Sequence, residues 1–195
     1  MAGPSGSRSA SARLSLDGAV HRVRPTWLRT APPILAPGGI ALRRMSAMSE
    51  DRAYVERNSR ERERLRALVA RLTDDELRTQ VNDHWTVAGV LGHIAFWDAR
   101  VLALADKVEA GVPFSPSDAE PEDVDWINDA TRLLIHAIAP RQAAELAVHL
   151  AEETDRRVVS LAPGRLWPDD PDSPLNPLRA THRAEHLDEI EAALG

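Results

Sequence analysis

Between Thr86 and Gly111 the apolar residues Val87, Val90, Leu91, Ile94, Trp97, Val101, Leu104 and Val108 recur at steps of three and four. That spacing collects them on one side of an α-helix, whereas the two-residue period of a strand would scatter them over both faces. The stripe covers roughly six turns at 3.6 residues each, so the helix must bury one side along its whole length. Thr86 offers a hydroxyl to cap its start, and Gly111 is a stop signal.

Three further segments repeat the pattern. Leu65, Leu68, Val69 and Leu72 stand at i, i+3, i+4 and i+7, and Ser49-Glu50-Asp51 supplies a cap and early acids for a first helix. Thr73-Asp74-Asp75-Glu76 closes that helix or begins a turn after it. A third helical region starts near Pro121-Glu122-Asp123, with Ile127, Thr131 and Leu134 on one side. Pro140 interrupts it, and the pattern resumes through Ala143, Leu146, Ala147, Leu150, Val158 and Leu161. The region therefore reads as a kinked or split helix. In the last segment, Asn176 is the expected N-cap and Pro177 the first helical residue, followed by Leu178, Leu187, Ile190 and Leu194. The proline-rich stretches 112–122 and 162–175 are loops. No strand alternation competes, so the expected fold is an all-α four-helix bundle over residues 48–195, an architecture that often builds metal sites between facing helices.

Charge separates this region from what precedes it. Residues 1–47 hold seven arginines and one acid, Asp17, a local charge of +6; the total is −6, so the rest of the chain carries −12. The basic segment has no sustained period and contains five prolines. It is expected to be a disordered N-terminal extension, or sequence read in from a start codon placed too early, with Met45 and Met48 standing just before the periodic pattern. An acidic domain is a poor partner for nucleic acid, whose binding rests on phosphate neutralisation. No segment approaches the roughly 18 consecutive apolar residues of a membrane span. The expected setting is the cytoplasm, with no membrane and no nucleic-acid partner. Cysteine is absent, which excludes disulfides, thiolate ligands and a cysteine nucleophile.

Any transition-metal site must then use His, Asp, Glu or water. His182 and His186 are four apart, so both rings leave one face of the last helix, about 40° from each other. The pair alone reads equally as two solvated histidines beside Arg183, Glu185, Asp188 and Glu189. With His182 at 0°, however, Ile190, Leu194 and Leu187 fall at about 80°, 120° and 140°, so the histidines flank the apolar stripe. Glu189, near −20°, can accept from a histidine N–H. His93 borders the stripe of the second helix; in isolation it reads as a core-edge histidine satisfied by a carbonyl. Together, His93, His182 and His186 form a three-histidine set able to hold a divalent ion with positions left open. Zinc is the first expectation from ligand type, and nickel or iron also suit imidazole. Asp98, about 140° round the helix from His93, is expected to pair with an arginine. His136 and His149 are expected to be solvated, and Trp126 and Trp167 either line a pocket mouth or anchor in the core.

The run from His84 to Asp98, His-Trp-Thr-Val-Ala-Gly-Val-Leu-Gly-His-Ile-Ala-Phe-Trp-Asp, resembles the second-helix motif of DinB-like proteins, in which a Trp and a hydroxyl residue open the helix and a ligand His follows. The segment His182-Arg183-Ala184-Glu185-His186 resembles that family's His-x-x-x-His helix, and Asn128 an Asn found early in its third helix. The resemblance covers about residues 50–194. It implies an up-down-down-up bundle with a long crossover after the second helix, where residues 112–122 fall. The family includes mycothiol-dependent maleylpyruvate isomerase and metal-dependent thiol S-transferases. The isomerase has a Glu where His182 stands, which points this chain toward the S-transferase-like members. The resemblance implies a small-molecule enzyme, of thiol-transferase or hydrolase type, with a low-molecular-weight thiol as candidate cosubstrate and a homodimer left open. The alternative is a non-catalytic binding or sequestering protein on the same bundle.

Overall fold

In the computed structural model, the structure describes residues 53–120 and 124–195. The expected extension 1–47 and the Ser49-Glu50-Asp51 cap lie outside these residues, as does the Pro121-Glu122-Asp123 start. The described residues form five α-helices and no strand: α1 Ala53–Arg71, α2 Val87–Glu109, α3 Asp125–His136, α4 Pro140–Ser160 and α5 Ala180–Leu194. Short 3-10 turns occur at Glu76–Arg78, Pro116–Asp118 and Pro163–Arg165. The helices α1 and α2 each pack on both α4 and α5, while α3 lies against α2.

The expected stripe of α2 is buried from Val87 to Val108. Its start is capped by Thr86, whose Oγ1 accepts from Gly89 N at 3.1 Å. Its end is released at Gly111, where φ is 65°, a left-handed conformation that glycine adopts without a Cβ clash. On average α2 is long and apolar enough to cross a membrane, but most of it is buried inside the protein. After α1, Thr73 and Glu76 cap each other: Glu76 Oε2 accepts from Thr73 N at 2.7 Å, and Thr73 Oγ1 accepts from Glu76 N at 3.2 Å. Thr73 thus begins a turn.

The third helical region is split, one of the two expected forms: Pro140 opens α4 as its first residue, where its missing N–H costs nothing. One expectation needs correction: the last helix begins at Ala180, not Pro177. Asn176 does accept from Leu178 N at 2.9 Å, but this closes only a local turn. The cap comes from α1: buried Asn58 accepts from the backbone N–H of Arg179 and Ala180, both at 2.9 Å, and donates to the Pro177 carbonyl at 2.9 Å.

The core has two apolar parts. One joins Leu65, Leu68, Leu91, Ile94, Ala147, Leu187 and Ile190; the other joins Val101, Leu104, Val158, Leu166 and Leu175. Between them along α2, α4 and α5 lies a polar layer of Asp98, Thr154, Asp155 and Arg183, all buried. Arg183 reaches Asp98 Oδ2 at 3.1 Å and Asp155 Oδ1 at 2.8 Å. Asp98 also accepts from Arg179 at 2.9 Å, and Asp155 from Arg62 at 2.8 Å. This layer fixes how α5 sits against α2, and hence how their histidines meet.

Candidate metal centre

His93 projects from the second turn of α2, on the side away from Asp98. His182 and His186 project from successive turns of α5. The three rings meet across the α2–α5 seam, and one ring nitrogen from each lies within 4.8 Å of the others. His93 Nε2 and His182 Nε2 are 3.3 Å apart. Ring centres are separated by 5.3 Å for His93–His182, 4.7 Å for His93–His186 and 4.6 Å for His182–His186.

Each ring is oriented by neighbours. His186 Nδ1 stands 2.9 Å from Glu189 Oε2, the partner that the helical angles suggested, and a proton held there leaves Nε2 with its lone pair. His93 packs edge-on against Trp85 and Trp97. Its Nδ1 is buried without a hydrogen-bond partner among the described residues. His182 Nδ1 faces Arg179 Nη2 at 3.4 Å. A guanidinium only donates, so in this arrangement Nδ1 is the acceptor and Nε2 carries the proton toward His93. To hold an ion through Nε2, His182 would carry its proton on Nδ1 instead, and the long Arg179 contact would give way while Arg179 keeps Asp98.

The electrostatics favour neutral rings. Burial, with the nearby charges of His186 and Arg179, pushes the His93 imidazole down to about 4. Burial and Arg179 push His182 down to about 2, helped by His186 and His93. A neutral imidazole is the ligating form, so His93 and His182 need no deprotonation at pH 7. The spacing of His93 and His182 fits as well: two nitrogens held about 2.0–2.1 Å from one ion at a tetrahedral angle would stand roughly 3.3 Å apart. The donor set and its geometry therefore fit a divalent ion.

The histidines line a cavity of about 340 Å3. Trp85, Trp97 and Arg100 line it beside His93, Asn128 comes from α3, and Arg179 and Glu185 come from the α5 side. Trp97 Nε1 donates to Asn128 Oδ1 at 3.2 Å, which ties α3 to the pocket wall. Asp98 is an arginine partner, as expected, and takes no part in the cluster. His149 and His136 are exposed; His136 stacks on Trp85 with ring centres 5.5 Å apart. Trp126 and Trp167 are exposed and neither they nor His84 line the pocket. Sequence reasoning missed Arg100 and Arg179 as pocket residues. Arg100 was within reach, because seven residues after His93 it falls only about 20° away on the helix.

Among the curated proteins and the solved structures, nothing matches this chain. A family model described as the DinB superfamily matches residues 57–194, which takes in all three histidines and most of the chain. The chain therefore belongs to the DinB superfamily.

Proposed function

We propose that the protein holds one divalent metal ion on His93, His182 and His186 and uses the adjoining pocket to process a small molecule. The observation that carries this reading is the convergence of three imidazoles at an open cavity, two of them held neutral. The volume suits a small ligand. Zinc is the first choice for the ion, with nickel and iron as alternatives. Bound there, the metal would supply Lewis acidity and lower the pKa of a thiol or water, so thiol transfer and hydrolysis are the leading reactions. Glu185 and Glu189 are the carboxylates placed to exchange a proton at the pocket rim. We further propose the up-down-down-up arrangement for α1, α2, α4 and α5, with the crossover after α2.

A second reading, a non-catalytic binding protein, is favoured by one observation: both candidate bases are exposed, and Glu189 is already engaged with His186. Metal analysis tests the centre itself. Wild type should hold one equivalent, the alanine variants of His93, His182 and His186 should lose most of it, and His136→Ala and His149→Ala should keep it. Full occupancy in His93→Ala or His182→Ala would overturn the three-histidine site. A conjugation assay with a low-molecular-weight thiol then separates enzyme from binder.

A further inference from the structure

Arg100 is the pocket residue for which metal binding has no use. It lies on the same face of α2 as His93 and Trp97, one helical turn beyond Trp97. Its guanidinium carbon sits 5.7 Å from the centre of the Trp97 ring, whose face attracts and orients the planar cation. Its Nη2 donates to the Asp118 carbonyl at 2.6 Å. The Asp118 carboxylate is elsewhere engaged, with Lys107 and with Ser115. Arg100 makes no ion pair with any carboxylate among the described residues, in contrast with Arg179 and Arg183, which are both tied to Asp98. A carbonyl satisfies one of its five N–H donors but does not neutralise its charge.

Of the other pocket charges, Arg179 is already held by Asp98, and the carboxylates favour a singly charged guest. Glu120, Glu185 and Glu189 stand exposed around the cavity, where water screens them, yet they repel a doubly charged phosphate more strongly than a carboxylate. Arg100 is half-buried, so its attraction is less screened. Seven residues of helix separate it from His93, about 10 Å of rise. We propose that the pocket receives a small carboxylic acid whose carboxylate pairs with Arg100, leaving its other end at the imidazoles. Trp97, which lies between the two along α2 and lines the pocket, gives an apolar wall that suits a short hydrocarbon spacer. This inference rests on the reading of the pocket as a small-molecule site and names its substrate class.

The test uses the full chain, metal-stripped and zinc-loaded, with tryptophan fluorescence and calorimetry as readouts. The probes are hexanoate, hexanamide and inorganic phosphate. Hexanoate should bind at least about ten-fold more tightly than hexanamide in both forms. That preference should vanish in Arg100→Gln and survive in part in Arg100→Lys, with helical content and zinc stoichiometry as in wild type. Equal binding of acid and amide, including no binding of either, overturns the proposal, as does tighter binding of phosphate. A preference that persists in zinc-loaded Arg100→Gln places the carboxylate on the ion and also overturns it. Zinc stoichiometry is read on the same samples. A chain that takes no zinc but prefers hexanoate through Arg100 loses the metal centre and keeps this inference; the opposite pattern does the reverse.

Discussion

Arg183 is fully buried, and its charge is met on two sides, by Asp98 and by Asp155. Burial pushes the Asp155 carboxyl up, against the pull of Arg183 and Arg62. Asp98 in turn holds Arg179, the neighbour of His182. The layout predicts an asymmetry between two single substitutions. Asp98→Asn leaves Arg183 with one carboxylate and Arg179 with none beside the histidines, and should cost about 3–5 kcal/mol, the usual penalty for stranding a buried charge. Arg183→Met leaves Asp98 with Arg179 and Asp155 with Arg62, and fills the space with an apolar chain. It should cost less, because buried ion pairs are often replaced by apolar residues with little loss. Urea denaturation of both variants decides, and the reverse order would show that the layer is organised around Asp155 instead. The sequence carried a signal for this layer: with His182 at 0°, Arg183 falls near 100°, in the middle of the stripe formed by Ile190, Leu194 and Leu187. A charge in the centre of an apolar stripe demands a buried partner. Which partner it finds depends on how three helices pack, and no spacing within one helix reports that.

Helix boundaries show the same division at the level of elements. The body of α2 was legible because its burial is one-sided and periodic. The start of α5 was not, because Asn58 on α1 caps it from 121 residues away. Asn58→Ala should remove a buried acceptor for two N–H groups and cost about 2 kcal/mol, at the upper end of cap substitutions. A cost of a few tenths in denaturant melts would mean that Asn176 and Pro177 can start the helix unaided. The packing of α3 on α2 rests on another feature that periodicity misses. A Cβ on Gly92 would come within 2.6 Å of Ile135 Cγ2, on a β-branched side chain with little freedom to move. In an isolated helix Gly→Ala is worth about 1 kcal/mol in favour of Ala. Here overpacking of about 1–3 kcal/mol opposes it, so Gly92→Ala should come out destabilising, and Ile135→Ala should relieve the strain in the double variant. A stabilised Gly92→Ala would show that α3 is held loosely. Because α3 also carries Asn128, the substitution should disturb the pocket wall while leaving the histidines on α2 and α5 in place.

For the whole molecule, the centre joins parts of the chain 89 residues apart, so proton and metal binding should both register in global stability. His93 and His182 have folded-state values of about 4 and about 2, against about 6.5 for a free histidine. Their depression means that the unfolded chain takes up protons where the folded chain does not. In the metal-free protein the stability they contribute is fully present above pH 6.5 and declines as pH falls toward 4. Glu76, Glu152 and Asp118 also have lowered values, but their ordinary values are 4.5, 4.5 and 3.8, so their losses belong to more acidic solution. The upper part of the window from 6.5 to 4.5 therefore reports mainly the rings, while Asp155, whose carboxyl burial pushes up, works against their slope at the acid end. The melting temperature of metal-free protein should fall across that window, and His93→Gln should flatten the slope. A bound ion acts by mass action on the folded state alone: free zinc at one hundred times its Kd adds about 2.7 kcal/mol. At pH 7 the wild-type melting temperature should therefore rise with zinc concentration, while His93→Gln, left with imidazoles on α5 only, should show little rise. An equal rise in both would mean that zinc binds through α5 alone, and that α2 supplies a wall of the pocket rather than a ligand.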